Sequence, residues 1–326
     1  VILTVLFLAI SILIGSGRTA YAKDLGPLSG TPFEQFEVVD GLGRHINYYV
    51  SHPTKPAPLL LMIQGSGCTP AFVSSGGQIA STVFGAWPTA LAGRFTVLVV
   101  DKPFSGEPPG AELGTATACS LQFNKDFSAD RWLVALLAAL KEAQRLPWVS
   151  PGRLFVLGHS EGAPMAAAVA GHDPDVTGVV FFAGPGDSQL FSTMLSAYSR
   201  GAITADRIEN LERAEAQIRA IMADPLDATQ FAWGHTYLRW SSFYRLSVLD
   251  QLRHSKAKVY IASGTADQDE PFLSTQILVA GLLADGRNIR TRVIPDADHS
   301  LSQPGEGASG QTAAEYAKAL DWIVQP

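Results

Sequence analysis

Six short apolar runs constrain this chain more than any other feature: 57–64 (APLLLMIQ), 94–101 (RFTVLVVD), 153–158 (RLFVLG), 177–184 (TGVVFFAG), 257–263 (AKVYIAS) and 289–295 (IRTRVIP). A strand with one wet face alternates apolar and polar residues, whereas runs this continuous suit strands buried on both faces of a mostly parallel sheet. Helical patterns alternate with them. Residues 127–146 carry Trp132, Leu133, Leu136, Leu137 and Leu140 at helical spacing and stop near Pro147; 161–171 is Ala-rich, 271–284 begins at Pro271, and 311–324 lies near the end of the sequence. Strand–helix alternation of this kind predicts an α/β sandwich. Ahead of it, FEQFEVVD and INYYVSH flank Gly41–Arg44 and read as an antiparallel hairpin.

The rhythm breaks once. Between Gly186 and about Leu252 there is no buried strand pattern, but 204–222 is amphipathic, with Ile208, Leu211, Ile218 and Met222 on one stripe, and 231–246 (FAWGHTYLRWSSFYRL) is dense in aromatics. Residues 187–252 are expected to form a helical cap insertion over one end of the sheet, a long crossover being the alternative.

The first 22 residues differ from the rest. Residues 1–15 are almost wholly apolar yet shorter than the roughly 20 residues a membrane span needs. Ala20-Tyr21-Ala22 has the small-x-small form of a signal-peptidase site. The division expected is therefore a signal peptide over 1–22 and one α/β domain over 23–326, with an uncleaved anchor as the competing reading. The run lacks an initiator Met and a basic start, so a longer signal is expected to precede it. The protein is expected to be secreted or periplasmic, with no stable membrane association after cleavage. A net charge of −6 offers no basic footprint for nucleic acid. Seven scattered histidines and two cysteines without metal-type spacing predict no metal site. In an oxidising compartment two cysteines are compatible with one disulfide or with two free thiols.

One short segment carries chemistry. The run LFVL leads straight into Gly158-His159-Ser160-Glu161-Gly162 and then into a helical pattern. A Gly-x-Ser-x-Gly between a strand and a helix fits a tight turn that exposes the serine, with glycines where side chains would collide. The helix that follows aims its free N–H groups and positive dipole end at the place where an oxyanion would develop.

On these residues the chain resembles the α/β-hydrolase superfamily, in particular secreted bacterial esterase- or peptidase-like members with a GHSEG elbow, over about residues 35–324. The resemblance implies an α/β-hydrolase fold: a mostly parallel sheet flanked by helices, with the helical cap. It also implies an acid and then a histidine later in the chain. Gly264-Thr265-Ala266-Asp267-Gln268-Asp269-Glu270-Pro271 looks like the family's acid turn, and Asp296-Ala297-Asp298-His299-Ser300-Leu301 is similar to its final histidine loop. Ser160 is thus the expected nucleophile, His299 the base and Asp267 the orienting carboxylate, with Asp269 the rival acid and Asp298 a loop-shaping residue. Serine needs such partners, because a neutral imidazole must take its proton and a carboxylate must hold the imidazole's tautomer. His159 is expected to be filler within the elbow, and His45, His52, His172 and His254 to be structural.

The loop IQGSGCTP resembles the family's His-Gly-x-Gly oxyanion loop, with Gln64 where His is usual. The oxyanion donors expected are the N–H of Glu161 and that of Ser66, with Gly65 the rival for the second. In the fold so implied, this loop and the long loop 102–126 emerge side by side, so the resemblance also implies a Cys68–Cys119 disulfide. The Glu161 carboxylate is expected in solvent or in a local hydrogen bond, and Trp233, His235 and Trp240 could line a substrate pocket.

The function expected is a cofactor-free serine hydrolase of carboxylic esters, working through an acyl-enzyme on Ser160 and acting on a small-molecule ester. Two alternatives stand beside it. One is a serine peptidase acting on short peptides, for which Glu161, Arg239 and Arg245 could recognise a charged end. The other is a non-catalytic binding protein of the same fold.

Overall fold

The structure is a computed structural model that describes residues 23–106, 119–305 and 310–325; the expected signal peptide, 1–22, lies outside them. In chain order come β1 (Lys23–Pro27), β2 (Phe33–Val39), β3 (His45–Ser51), β4 (Ala57–Ile63), β5 (Phe72–Ser75), β6 (Gln78–Ser81), α1 (Trp87–Leu91) and β7 (Thr96–Val100). Then follow α2 (Leu121–Asp126), α3 (Ala129–Ala143), β8 (Val149–His159), α4 (Gly162–His172), β9 (Val176–Phe182), α5 (Gln189–Ser199) and α6 (Thr204–Ala223). The remainder is β10 (Phe231–Ala232), β11 (His235–Thr236), α7 (Tyr237–Arg245), α8 (Val248–His254), β12 (Lys258–Gly264), α9 (Phe272–Ala284), β13 (Ile289–Ile294) and α10 (Gly310–Ile323).

All six apolar runs become strands of one nine-stranded sheet, in the order β1-β2-β3-β7-β4-β8-β9-β12-β13. From β7 to β13 every pairing is parallel; β1, β2 and β3 pair antiparallel at the other edge, and β3 runs antiparallel to β7. The hairpin forms because Asp40 Oδ1 accepts the N–H groups of Leu42 (2.9 Å) and Arg44 (3.0 Å), closing the turn. Strand β1 and the small β5–β6 hairpin were not expected. Both are short and polar or mixed, with none of the continuous burial that marks the central strands.

Two cores cover the two faces. Trp132, Leu136 and Leu140 of α3, the small residues of α4, and Val248 and Leu252 of α8 pack on one side. Leu91 of α1, with Tyr316, Leu320 and Ile323 of α10, packs on the other. Helix α4 (GAPMAAAVAGH) is buried over nearly its whole length, so small side chains are what let it lie close to the sheet.

The segment expected as a cap divides. Helices α5, α6 and α7 share a separate small core of Ile218, Ile221, Tyr237 and Tyr244. Helix α8, in contrast, joins the main core. The stripe read on α6 also shifts: Ala214, Ile218 and Ile221 are buried, whereas Ile208 is 48% exposed. The buried residues of α6 all lie at or beyond Ala214, so the apolar pattern over its first half buries little.

Candidate active site

The elbow forms as the sequence suggests. Strand β8 ends at His159, α4 begins at Gly162, and Ser160 between them is left-handed at φ 57°. A side chain pays for that conformation with strain, and it persists only where neighbours over-determine it. The Ser160 N–H is held by the Phe182 carbonyl (3.0 Å) of the adjacent strand, and the Ser160 carbonyl accepts from Ala163 N–H (3.0 Å). A Cβ on Gly162 would lie 2.1 Å from the Ile63 carbonyl oxygen, and one on Gly158 2.0 Å from that of Gly162. The turn can close only around these two glycines.

Asp267 and His299 lie beyond the C-terminal ends of β12 and β13, the same edge from which Ser160 emerges. Their loops are joined through Thr265 N–H to the Ile294 carbonyl and Ala266 N–H to the Ala297 carbonyl, each 3.0 Å. His299 Nε2 lies 2.9 Å from Ser160 Oγ, and Nδ1 lies 2.9 Å from Asp267 Oδ2. Asp267 Oδ1 is held by the N–H groups of Asp269 and Glu270, both at 2.9 Å. Asp269, the rival acid, therefore supplies its backbone to Asp267 while its own side chain lines the cleft. Burial works to lower the His299 pKa, but the hydrogen bond and charge of Asp267, with Asp269 and Glu270, outweigh it and raise the pKa above the ordinary imidazole value. Asp298 shapes its loop, as expected, by accepting from Ser300 N–H (2.9 Å) and Ser302 N–H (3.1 Å).

His159 is more than filler. Its Nε2 lies 2.8 Å from the His299 carbonyl oxygen, and burial together with the neighbouring His299 pushes its pKa down to about 4. Neutral His159 thus donates to the backbone of the residue whose ring faces Ser160.

Glu161 also departs from expectation. Its carboxylate is buried between two cations: Oε1 accepts from Lys102 Nζ (2.8 Å), and Oε2 from Arg239 Nε (2.9 Å) and Nη2. Burial alone would raise the Glu161 pKa, but Lys102 and Arg239, with His235, bring it down to about 2. Lys102 Nζ also donates to the carbonyls of Gly65 (2.7 Å) and Gly67 (3.0 Å). Three acceptors match the three hydrogens of an ammonium, so the lysine is charged although burial favours its neutral form. The residue beside Ser160 is therefore tied to the 65–67 loop by one cation and to α7 by the other.

That tie orients the loop. In a planar trans peptide the C=O and the following N–H point in opposite directions. With the Gly65 carbonyl turned toward Lys102, the Ser66 N–H turns the other way. Gly65 itself packs on the serine, and a Cβ there would sit 3.3 Å from that of Ser160. A Cys68–Cys119 disulfide anchors the next turn of this loop, with a Cα–Cα distance of 5.6 Å.

Ser160 opens into a cleft of about 920 Å³ walled by α5, α6 and α7. Trp233, His235 and Trp240 line it, Trp233 with nearly half its surface exposed. A second cleft of about 330 Å³ reaches the loop from the side of Thr82, Phe84 and Tyr316. Arg239 lines the larger cleft, whereas Arg245 is exposed and outside it. Asp267, Asp269 and His299 are the described residues whose donor atoms cluster as a metal set would. Both Asp267 oxygens, however, are already held by His299 and by two backbone amides.

Lys102 and Glu270 escape a reading of the sequence. Lys102 directly follows a buried strand run, which is the one local hint of burial; nothing near Glu270 marks it out from the other acids of its turn.

Residues 61–309 match the model of the alpha/beta hydrolase family, and the chain belongs to that family. The mostly parallel sheet flanked by helices is the α/β-hydrolase fold. Among solved structures, acetyl xylan esterase 1 from Thermoanaerobacterium sp. is similar at a TM-score of 0.58 and 14% identity, over 94% of this chain and 89% of that one. Est1E from Butyrivibrio proteoclasticus has a TM-score of 0.53 and 15% identity, over 89% of this chain and 99% of that one. The Pyrococcus horikoshii acylaminoacyl peptidase reaches 0.57 at 13% identity over 90% of this chain, which spans only 41% of that peptidase. No curated protein matches the sequence. At these identities the likeness is one of fold. A hydrolase-type enzyme is the class that family and fold define.

Proposed function

We propose that the protein is a serine hydrolase that cleaves carboxylic esters through an acyl-enzyme on Ser160. The observation that carries this reading is the hydrogen-bonded series Ser160 Oγ–His299 Nε2 and His299 Nδ1–Asp267 at the end of the elbow. His299 takes the Ser160 proton as Oγ bonds to the substrate carbonyl carbon. Asp267 holds the Nδ1–H tautomer and stabilises the imidazolium. The N–H groups of Glu161 and Ser66 receive the oxyanion, and the imidazolium then protonates the departing alcohol as the C–O bond breaks. Water, deprotonated by His299, attacks the acyl-enzyme, and collapse returns the proton to Ser160 and releases the acid. Trp233 and His235 border the space where substrate would lie.

The signal peptide and an exported location belong to the same proposal. The disulfide is compatible with an oxidising compartment. Among the described residues no helix is long and apolar enough to cross a membrane.

Two measurements test the reading. A fluorophosphonate should label the protein and fail to label Ser160→Ala. In a panel of nitrophenyl acyl esters and aminoacyl anilides, the esters should turn over faster. Activity confined to the anilides replaces the esterase with a peptidase, and absence of both labelling and turnover leaves the binding-protein reading.

A further inference from the structure

Four buried polar atoms without a hydrogen-bond partner among the described residues belong to residues that line the same cleft: Arg239 Nη1, Gln189 Oε1, Ser196 Oγ and Glu270 Oε2. Leaving such atoms unpaired costs free energy, so their gathering in one place marks where a ligand completes them. Arg239 is the most constrained. Only 3% of it is exposed, and its guanidinium carbon lies 4.2 Å from the centre of the Trp240 ring and 4.5 Å from that of Phe243. Its Nε and Nη2 are spent on Glu161, which leaves the buried Nη1 as its unpartnered donor at the edge of a cleft that Arg239 lines.

Charge decides what Nη1 would take. One carboxylate, Glu161, answers two cations, Lys102 and Arg239, so the group beside Ser160 carries a net positive charge in a site where water screens it weakly. Arg200 adds a further cation to the cleft lining; Arg213, also there, is paired with Glu209. The acids on the same wall answer them poorly: Glu161 is already paired, burial pushes the Glu270 pKa up to about 8, and Asp269 remains. A cationic substrate group would face this surplus, whereas a carboxylate would neutralise it and give Nη1 a charge-assisted bond.

We propose that the ester bound in this cleft carries a carboxylate, and that Arg239 Nη1 binds it. This is a specificity role for Arg239, and it rests on the hydrolase reading above. The neutral carboxyl of Glu270 and the Gln189 and Ser196 side chains complete a polar lining suited to the polar part of such a substrate.

Two matched ester pairs test it, one for each side of the scissile bond. On the acyl side the pair is 4-nitrophenyl hydrogen glutarate and its methyl ester; on the alcohol side it is 3-(4-acetoxyphenyl)propionate and its methyl ester. In one arm the acid should be preferred by about tenfold or more in kcat/KM, mostly through KM, and the preference should shrink between about 20 and about 500 mM salt. Arg239→Lys, which can still meet Glu161 but lacks the Nη1 donor, should bring the ratio close to one. A ratio is unaffected by any general loss of activity. Should that variant not fold, competition on the wild type reads the same property: glutarate should inhibit more strongly than dimethyl glutarate. Ratios at or below one in both arms overturn the proposal, as does a preference that survives Arg239→Lys. Hydrolysis of the neutral esters without preference sinks this inference alone. Absence of hydrolysis and of fluorophosphonate labelling sinks the hydrolase reading with it.

Discussion

Lys102 Nζ lies 2.8 Å from Glu161 Oε1, and both side chains are almost wholly buried, directly behind the turn that presents Ser160. Removing two charges from water is costly, and an ion pair of this kind is kept only where its geometry is good and its other hydrogen bonds are made. Here the remaining hydrogens of Lys102 reach Gly65 and Gly67, so the pair fixes the direction of the loop that carries the proposed oxyanion donor.

Lys102→Met keeps most of the length of the side chain and removes those bonds. With the loop amides no longer aimed, kcat should fall by about 10- to 100-fold with a smaller change in KM, because a misplaced oxyanion donor weakens the transition state more than the ground state. Steady-state kinetics on a neutral nitrophenyl ester read the split. A loss confined to KM would show that the loop is held by other means.

Glu161→Gln leaves two buried cations facing an amide. The expected cost is about 3–5 kcal/mol of stability, read as a lower midpoint in urea at neutral pH. The Glu161 pKa is lowered on folding, so the stabilisation it provides is complete above the unfolded carboxylate value and is lost as pH falls toward about 2. The difference between wild type and variant should therefore narrow in acid; a difference that does not change with pH would place the effect elsewhere.

His299 must be neutral to accept the proton of Ser160. Because its pKa is raised in the fold, kcat/KM should climb with pH through a value above that of free imidazole. Asp267→Asn should move that limb to lower pH and cut kcat by about 10⁴-fold. The same raised pKa means that the imidazolium favours the folded state. That stabilisation is present below the unfolded histidine pKa and is lost as pH rises through the folded one. An unmoved limb in the variant would argue against His299 as the titrating base.

Glu270 has its pKa raised to about 8 by burial, reinforced by the charge of Asp267, so its neutral form is favoured on folding. Its contribution is present below the unfolded carboxylate value and is lost as pH rises to about 8. Glu270→Gln, which cannot ionise, should hold its urea midpoint between pH 6 and pH 9 better than the wild type does. Parallel declines would show that Glu270 is not the group responsible.

The Cys68–Cys119 bridge closes a segment with a sequence separation of 51 residues. By the chain-entropy argument, replacing both cysteines with serine should cost about 4 kcal/mol. Since Cys68 lies on the loop that carries the proposed oxyanion donor, kcat should fall as well. Equal stability of the two forms in chemical denaturation would refute the first expectation.

Local chemistry made the sheet, the elbow and the Ser160, Asp267 and His299 series legible in the sequence. Buried parallel strands need uninterrupted apolar residues, and a tight strand-to-helix turn needs glycines at fixed offsets, so both leave a pattern that reads along the chain. Two expectations about α6 and Glu161 failed for one reason: each depended on what lay opposite in space. Ile208 lies on an apolar stripe but stays exposed, and Glu161 lies beside Ser160 but faces Lys102, 59 residues away, and Arg239, 78 residues away. His159 looked interchangeable until the histidine loop closed over it. What the sequence alone determined was the chemistry that depends on neighbours along the chain. The tertiary structure decided the electrostatics, because whether a charge is solvated, paired or left over is settled only when distant segments have packed around it.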